Sequence, residues 1–424
     1  MQKNNNRIRM KKGYTIKTIY ANGLCMGCGI CQDVCPQNCI KIKNGNCNTA
    51  QLNPNNCSEC GLCYAICPGK GIALNEVGLE LFGYTKYNKY IGRYLNCYTG
   101  YSNNKDIRFH SASGGMVTQF LVYLFEKNLI DGAVVVGQQE ENKMWPHPFI
   151  ARNIADVLSS KSSKYCVTSY EGIIKEIKVK SGKYVVVGLP CHIQAFREYE
   201  KFEKKIKDSI IGHFSIYCSL NKTKASTDYY VYRYGIGRNT ISEFAYRDDG
   251  CPGYMKFINK ENKIIKKIPY THYWMGTHNF FGNSRCALCF DQFGELSDIS
   301  FGDINISPYN EDKIGINSLI ARNKKWLAIL LQAKDDGYIT LKETKEKDLI
   351  DSQQFVQSYK KGYGISGALA CRSLFGKKNP IYDETLPEAN IKSIISYMII
   401  SIMHYMGRHQ IFWPIIKRLD PYKN

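Results

Sequence analysis

Two cysteine quartets near the amino terminus constrain this chain of 424 residues more than any other feature. Ten of its 18 cysteines lie between residues 25 and 67, and eight of those ten fall into two identical spacings that each end in proline. The quartets are Cys25, Cys28, Cys31 and Cys35 before Pro36, and Cys57, Cys60, Cys63 and Cys67 before Pro68. Disulfide frameworks are typical of small secreted domains, and a zinc ribbon uses one set of four ligands in paired short spacings. Neither alternative accounts well for two complete and identical quartets.

The spacing within each quartet is that of a bacterial two-cluster ferredoxin. In that arrangement, three thiolates from one loop and the fourth cysteine of the other quartet hold one 4Fe–4S cluster. The first predicted cluster is held by Cys25, Cys28, Cys31 and Cys67, and the second by Cys57, Cys60, Cys63 and Cys35. Such a unit carries single electrons and seldom selects a substrate. The function therefore depends on the longer remainder of the chain.

Hydrophobic patterning in that remainder predicts an α/β core. Apolar residues recur at helical spacing between Met116 and Leu124, whereas short apolar runs at 129–138, 183–188 and 208–217 predict buried strands. Residues 313–350 have the pattern of strand, helix and strand. This alternation predicts a mixed, partly parallel sheet. The expected organisation is a basic tail (1–15), an α+β two-cluster ferredoxin-like domain (16–80), a connector (81–100), the α/β core (101–370) and a C-terminal helical segment (371–424).

Three segments of the core carry residues suited to binding a ligand. Residues 111–115 (SASGG) precede the predicted helix, where hydroxyls and backbone amides suit a phosphate or a flavin edge. Residues 161–165 (KSSKY) offer ammonium, hydroxyl and aromatic groups, and residues 188–195 (GLPCHIQA) form a turn at the carboxyl end of a strand. Taken alone, the first segment also fits an ordinary helix cap and the second an exposed charged turn. A fourth segment holds Cys286 and Cys289, whose spacing fits a redox pair, half of a zinc site or half of a cluster site.

Together, the segments SASGGMVT, GLPCHIQAFR and CALCFDQFGELSDISFGD resemble the beta-subunit family of coenzyme F420 hydrogenases and dehydrogenases. The resemblance covers roughly residues 95–370 and implies an FAD-containing iron–sulfur oxidoreductase with a third 4Fe–4S cluster beside the flavin. The ligands that it implies for this cluster are Cys191, Cys218, Cys286 and Cys289. The flavin-binding residues that it implies are Ser111, Ser113, Gly114, Gly115, Lys161, Ser163, Lys164, Tyr165 and Pro190. His192 is either a catalytic proton donor near the flavin or a residue of the turn.

We therefore expect a flavin-dependent reductase or dehydrogenase that passes electrons between a ferredoxin-like partner and a small-molecule substrate at FAD. Bacterial members of the family are often associated with polysaccharide pathways, which makes a glycan or isoprenoid intermediate one substrate hypothesis. We find no separate motif that demands coenzyme F420 as the substrate. The alternative is a non-catalytic electron-transfer subunit of a larger redox complex.

The net charge of the chain indicates an anionic partner or ligand. The chain has 57 Lys and Arg against 37 Asp and Glu, a formal charge of +20. These basic residues are spread along the chain and form no nucleic-acid recognition motif, so nucleic acid is not expected. Three oxidised clusters at roughly −2 each and a diphosphate at about −2 would match part of the excess. The rest suits an acidic ferredoxin or an anionic membrane surface.

The C-terminal segment leaves two interpretations open. Residues 393–407 contain no Asp, Glu, Lys or Arg and are rich in Ile and Met, but they are fewer than the ~20 residues needed to span a bilayer. They predict either a helix packed on the core or on a second copy of the chain, or an interfacial membrane helix. The first residues lack the apolar stretch of a secretory signal. We therefore expect a cytoplasmic protein, with membrane association through this helix as the alternative.

Overall fold

The amino-terminal unit repeats one local turn at its two cysteine loops. The computed structural model describes residues 13–139, 143–277 and 279–422, so most of the predicted basic tail lies outside the described residues. The elements of the unit are α1 (Ile16–Ala21), α2 (Ile30–Asp33), β1 (Ile40–Lys43), β2 (Thr49–Leu52) and α3 (Leu62–Ala65). Helices α2 and α3 each follow a glycine, Gly29 and Gly61, with φ of 80° and 81°. Glycine adopts this left-handed conformation at little cost, so both loops enter their helices in the same way.

An eight-stranded mixed sheet forms the centre of the core. The chain's remaining strands are β3 (Lys86–Asn88), β4 (Gly92–Tyr94), β5 (Asn96–Ser102), β6 (Gly132–Gln138), β7 (Pro146–Ala151), β8 (Tyr184–Gly188), β9 (Ile210–Ile216), β10 (Ile241–Asp248), β11 (Tyr254–Asn259), β12 (Ile264–Pro269), β13 (Ile299–Asp303), β14 (Asn317–Ala321) and β15 (Ile339–Thr344). The order across the main sheet is β15-β5-β14-β13-β9-β8-β6-β7. Strands β6, β8, β9 and β13 pair in parallel, and the outer pairs are antiparallel. The predicted mixed sheet is therefore confirmed.

Helices cover the sheet and extend to the C-terminus. They are α4 (Leu74–Phe82), α5 (Lys105–Phe109), α6 (Met116–Glu126), α7 (Ile154–Ser159), α8 (Ile173–Val179), α9 (Pro190–Glu200), α10 (Lys204–Ser209), α11 (Lys224–Arg233), α12 (Tyr270–Thr277), α13 (Lys324–Asp335), α14 (Glu346–Ser352), α15 (Tyr363–Leu374), α16 (Ile391–Arg408) and α17 (Trp413–Leu419). The helix predicted from Met116 is α6, and the strand, helix and strand predicted within 313–350 are β14, α13 and β15. None of the helices in the described ranges is long and apolar enough to cross a membrane.

The segment predicted as a connector, residues 81–100, is built into the fold. Strands β3 and β4 form an antiparallel pair, and β5 then lies between β14 and β15 in the main sheet. The sequence did not predict strand β5, because β5 has buried residues on both faces and its sequence therefore lacks the alternation of a half-exposed strand.

The cysteine-rich unit shares its core with the main sheet. Ile30 and Ile66 lie in one apolar cluster with Val134 and Val186, which belong to β6 and β8. The buried Asp33 carboxylate also accepts backbone N–H groups of Gly172 at 2.8 Å and Ile174 at 3.0 Å, at the start of α8. These contacts fix the cysteine loops in a defined position against the core.

Candidate redox site

The fold sorts the eight amino-terminal quartet cysteines into two groups that exchange their fourth members. Cys25, Cys28, Cys31 and Cys67 line one small cavity, which we call the middle set. Cys35, Cys57, Cys60 and Cys63 line another, which we call the outer set, and Cys39 lies beside them. This exchange is the arrangement that two-cluster ferredoxins use.

Backbone amides point at sulfur atoms of both sets. The Ile16 N–H donates to Cys63 Sγ at 3.3 Å, and the Gly69 N–H donates to Cys67 Sγ at the same distance. Burial, followed by neighbouring thiolates, raises the pKa of Cys63 and of Cys67 to about 11. An unligated pair of such sets would hold protonated thiols, whereas a bound metal keeps its ligating thiols deprotonated.

The four cysteines implied as third-cluster ligands meet at the carboxyl ends of β8 and β9. Cys191 is in the first turn of α9, Cys218 follows β9, and Cys286 and Cys289 lie in a short turn before β13. We call Cys191, Cys218, Cys286 and Cys289 the inner set. Burial, together with the charges of the other three inner sulfurs and of Cys28, raises the pKa of Cys191 well above its ordinary value. The inner set therefore adjoins the middle set.

Lys360 is a buried cation beside the inner set that the sequence did not reveal. Its side chain is 1% exposed, and its Nζ donates to the Asp291 carbonyl oxygen at 3.1 Å. Burial acts to lower the pKa of Lys360, but the thiolates of Cys289, Cys218 and Cys286 raise it above its ordinary value. A buried ammonium is costly unless an anion faces it. The inner cysteines supply that charge only when they are thiolates.

A cavity of about 320 Å³ opens where the four parallel strands end. Val136, Gly188, Ile216 and Asp303 line it from β6, β8, β9 and β13, respectively. Open α/β sheets bind ligands at this position because loops diverge from the carboxyl ends of the strands. Cys218 also lines the cavity, so the inner set borders it directly.

Most of the flavin-binding residues implied by the sequence line this cavity. Those that do are Ser111, Ser113, Gly115, Ser163, Lys164 and Tyr165. The described lining leaves out Gly114, which lies against Asn317 and Gly100, and Lys161, whose Nζ is 3.6 Å from the Asp106 carboxylate. It also leaves out Pro190, which is buried as the first residue of α9.

The Lys164 side chain stabilises its own loop by hydrogen bonds. Its Nζ donates to the carbonyl oxygens of Ser160, Lys161 and Ser162, the last at 3.1 Å. Burial lowers the pKa of Lys164 to about 7. A protonated Lys164 thus uses its three N–H donors within its own loop, and an anion bound in the cavity would favour that charged form.

His192 lines the cavity with both ring nitrogens engaged. Its Nδ1 accepts the Leu189 N–H at 3.2 Å, and its ring donates to the Thr168 carbonyl. The ring also packs against Tyr170, with centroids 4.2 Å apart and the planes tilted by 37°. Burial lowers the pKa of His192 to about 4. This geometry favours a neutral ring that holds the turn over a ring that donates a proton.

The sequence did not predict two further features near the cavity, an aromatic pair on α12 and a buried arginine. Tyr270 and Trp274 are one turn apart on α12 and stack near Tyr165, whose ring centroid is 5.3 Å from that of Tyr270. Buried Arg247 donates to Asp303 Oδ2 at 2.7 Å and to the Tyr165 hydroxyl at 3.1 Å. The aromatic run YTHYW was a usable signal, but nothing near Arg247 in the sequence marks it.

Comparison with known proteins agrees with this geometry. Residues 24–71 match a 4Fe-4S dicluster domain. Residues 97–175 and 181–347 match the N-terminal and C-terminal parts, respectively, of the coenzyme F420 hydrogenase/dehydrogenase beta subunit. The chain belongs to this beta-subunit family. Membership supports electron transfer through iron–sulfur clusters and a partner redox protein.

Individual members of the family are distant in sequence. The chain is 24% identical over 304 residues to the coenzyme F420 hydrogenase subunit beta of Methanosarcina barkeri, which covers 66% of this chain and 97% of that subunit. It is 28% identical over 217 residues to the coenzyme F420-dependent sulfite reductase of Methanocaldococcus jannaschii, covering 50% of this chain but only 33% of that protein. A chain from the F420-reducing NiFe hydrogenase complex of Methanosarcina barkeri has a similar fold, with a TM-score of 0.51, 21% identity, and coverage of 64% of this chain and 92% of that chain.

Proposed function

We propose that this protein is a flavin-dependent iron–sulfur oxidoreductase that passes electrons between a ferredoxin-like partner and a substrate at FAD. The observation that carries the proposal is the position of Cys218. This residue belongs to the inner set and also lines the large cavity. A cluster held by the inner set would therefore adjoin any cofactor bound in the cavity.

Each cysteine set neighbours the next, from the outer set through the middle set to the inner set beside the cavity. The pKa of Cys31, in the middle set, is raised by burial, by its own set and by Cys63 of the outer set. The pKa of Cys191, in the inner set, is affected by Cys28 of the middle set. Residues 58 and 59 in the outer loop are exposed. We infer that electrons exchange with the partner at the outer set and pass through the middle and inner sets.

The inner set fits a third 4Fe–4S cluster. It offers four thiol ligands, and the Asn221 N–H donates to Cys286 Sγ at 3.4 Å, as amides do at cluster sulfurs. Lys360 supports the same assignment because the inner thiolates, together with Asp291, favour its buried positive charge. A zinc site with four Cys ligands is the competing interpretation, and an iron count separates the two.

The cavity fits FAD in its chemistry. Its volume falls within the usual range for small-molecule sites. Val117 and Thr118, in the first turn of α6, line the cavity, where helix-start amides suit a diphosphate, and Lys164 in the same wall would add a positive charge. The Ser111 and Ser113 hydroxyls donate to backbone carbonyls and so hold this segment in place. Tyr165, Tyr270 and Trp274 offer flat apolar surface for a ring. When bound, a flavin converts between single electrons and electron pairs.

The residues of the chain then have three tasks at this site. The SASGG and KSSKY segments orient the cofactor, and the Arg247–Asp303 pair holds Tyr165 in place. His192 keeps the turn between β8 and α9 closed, which positions Cys191. The substrate remains a hypothesis: a glycan or isoprenoid intermediate is one candidate, and coenzyme F420 is another because relatives carry it in their names.

The alternative function is a non-catalytic electron-transfer subunit. The relative from Methanosarcina barkeri is named as a hydrogenase subunit, which favours this alternative. The two functions differ in what the isolated holoprotein can do. An enzyme reduces a small-molecule acceptor when an artificial electron donor is supplied, whereas a pure transfer subunit does so only with its partner present.

Anaerobic purification followed by iron, sulfide and flavin counts tests the proposed function. We expect about twelve iron atoms and about one flavin per chain, because three 4Fe–4S clusters are proposed. About eight iron atoms would remove the third cluster from the proposal. A holoprotein without flavin absorbance would refute the flavin-dependent chemistry.

A further inference from the structure

The fully buried residues of helix α16 are not the large apolar ones. Surface helices bury an apolar stripe and expose polar residues. The buried positions of α16 are Ser393, His404 and Gly407, which are small or polar. The fit is close: the Ser393 backbone lies against Gly367, and Gly407 lies against the Phe280 carbonyl. Small and polar residues thus make the closest contacts of α16 with the core, and Tyr397, Met403 and Met406 are half-buried beside them.

The opposite face of α16 is apolar and faces solvent. Six side chains that recur at intervals of three or four residues are each 44% to 73% exposed. These are Ile391, Ile395, Met398, Ile399, Ile402 and Tyr405. The pattern continues past the end of the helix, where Ile411, Ile415 and Leu419 are 81%, 46% and 61% exposed. A continuous exposed apolar patch of this kind marks an interaction surface.

Exposed basic residues predominate along this stripe, and the exposed Glu388 lies just before α16. Residues 389–419 contain no Asp or Glu, whereas Lys392, Lys417 and Arg418 are exposed on the same two helices. Lys377 and Lys378 lie exposed beside Leu374 and Phe375, at the end of α15. A partner that binds this stripe should therefore present an apolar surface with negative charge at its edge.

A second copy of the chain fits this requirement poorly. Pairing two copies through α16 and α17 would place Lys392, Lys417 and Arg418 of both copies in one interface without any acidic residue from residues 389–419 to offset them. A bilayer with anionic headgroups supplies both properties, because acyl chains accept the isoleucines while headgroups accept the lysine and arginine side chains.

We propose that the exposed faces of α16 and α17 dock this protein on an anionic membrane surface, with both helices lying in the interface. The 18 residues of α16 span about 27 Å, which suits a helix lying flat on the membrane. Tyr405 suits the headgroup level, where tyrosine is enriched. This proposal is independent of the redox function, because none of its residues belongs to a cysteine set or lines the large cavity.

Sedimentation of the full holoprotein with vesicles tests the proposal. We compare vesicles of phosphatidylcholine alone with vesicles containing about one third phosphatidylglycerol. We expect the protein to pellet with the anionic vesicles. Salt at about 0.5 M should weaken this binding, because it screens the attraction between the basic residues and the anionic headgroups. The triple substitution Ile395→Ser, Ile399→Ser, Ile402→Ser should lower the vesicle partition coefficient about tenfold or more.

Two controls separate docking from general effects. Val179→Ser, Ile264→Ser and Ile314→Ser, made together, remove three exposed apolar side chains from other elements, and this variant should bind like the wild type. Lys417→Ala with Arg418→Ala should reduce binding to anionic vesicles only. Iron content and thermal unfolding verify that every variant is folded.

Two results would overturn the proposal. One is the absence of pelleting by the wild-type protein with anionic vesicles at low salt. The other is a concentration-dependent dimer in solution that the triple serine variant abolishes, because a second copy would then cover the stripe.

Discussion

Replacing Lys360 with Met should lower the reduction potential of the proposed third cluster. Lys360 is 1% exposed, so water screens its charge poorly. Reduction adds one negative charge to a cluster, and the nearby ammonium stabilises that charge. Methionine fills a similar volume without the charge, so the change removes an electrostatic effect while disturbing the packing little.

The distance between the Lys360 ammonium and the Cys289 sulfur sets the size of the expected shift in potential. Both atoms contact the Asp291 carbonyl oxygen, which limits that distance. Lys360 Nζ is 3.1 Å from the Asp291 oxygen and Cys289 Sγ is 3.4 Å from it, so the ammonium and the sulfur are at most about 6.5 Å apart. At an effective dielectric constant of about 20, unit charges at that distance interact by about 2.5 kcal/mol. For a one-electron couple this corresponds to a fall of roughly 100 mV.

Redox titration monitored by electron paramagnetic resonance measures this shift. Lys360→Arg is the matched control, because it retains the positive charge and should keep the potential near the wild-type value. Iron counts on both variants establish that the third cluster is assembled. An unchanged potential in Lys360→Met at full iron content would falsify the electrostatic role of Lys360. A third potential that cannot be found in the wild-type protein would refute the cluster itself.

Three further predictions concern the inner set, the cavity wall and the buried histidine. Cys218→Ala should lower the iron count by about four per chain, whereas Cys371→Ala, a buried cysteine outside all three sets, should leave it unchanged; equal counts would contradict the ligand assignment. Gly115→Ala should lower the free energy of unfolding by about 1–2 kcal/mol, because φ is +73° at this position. Gly337→Ala (φ +81°) is the control and should cost less in thermal unfolding, since only at Gly115 would the new Cβ lie 3.2 Å from Arg108 and Ile107. In the folded protein, His192 stays neutral down to its pKa of about 4, whereas in the unfolded chain it takes up a proton near pH 6.5. The free energy of unfolding should therefore fall by about 3 kcal/mol as the pH drops from about 6.5 to about 4. His192→Gln should remove that part of the pH dependence in unfolding curves, and an identical pH profile would show that the histidine is not buried neutral.

Local sequence spacing was sufficient for the features that depend on neighbouring residues. The quartets, the helix from Met116 and the strands at 183–188 and 208–217 all follow from patterns within a few residues. The connector shows the limit of such patterns: β5 is buried between β14 and β15, so its sequence carries no alternation. Lys360 shows the same limit, because its neighbours Cys218 and Cys289 are far away along the chain.

By itself, the sequence determined the two cysteine quartets, their spacing and the family resemblance, because the geometry of such a cluster loop is set by residues close in the chain. Only the tertiary structure decided that the inner set borders a cavity at the ends of four parallel strands, since that meeting depends on sheet order. It also decided which side of α16 faces outward. Apolar residues occur all around that helix, and close packing placed Ser393, His404 and Gly407 against the core, which leaves most of its isoleucines exposed.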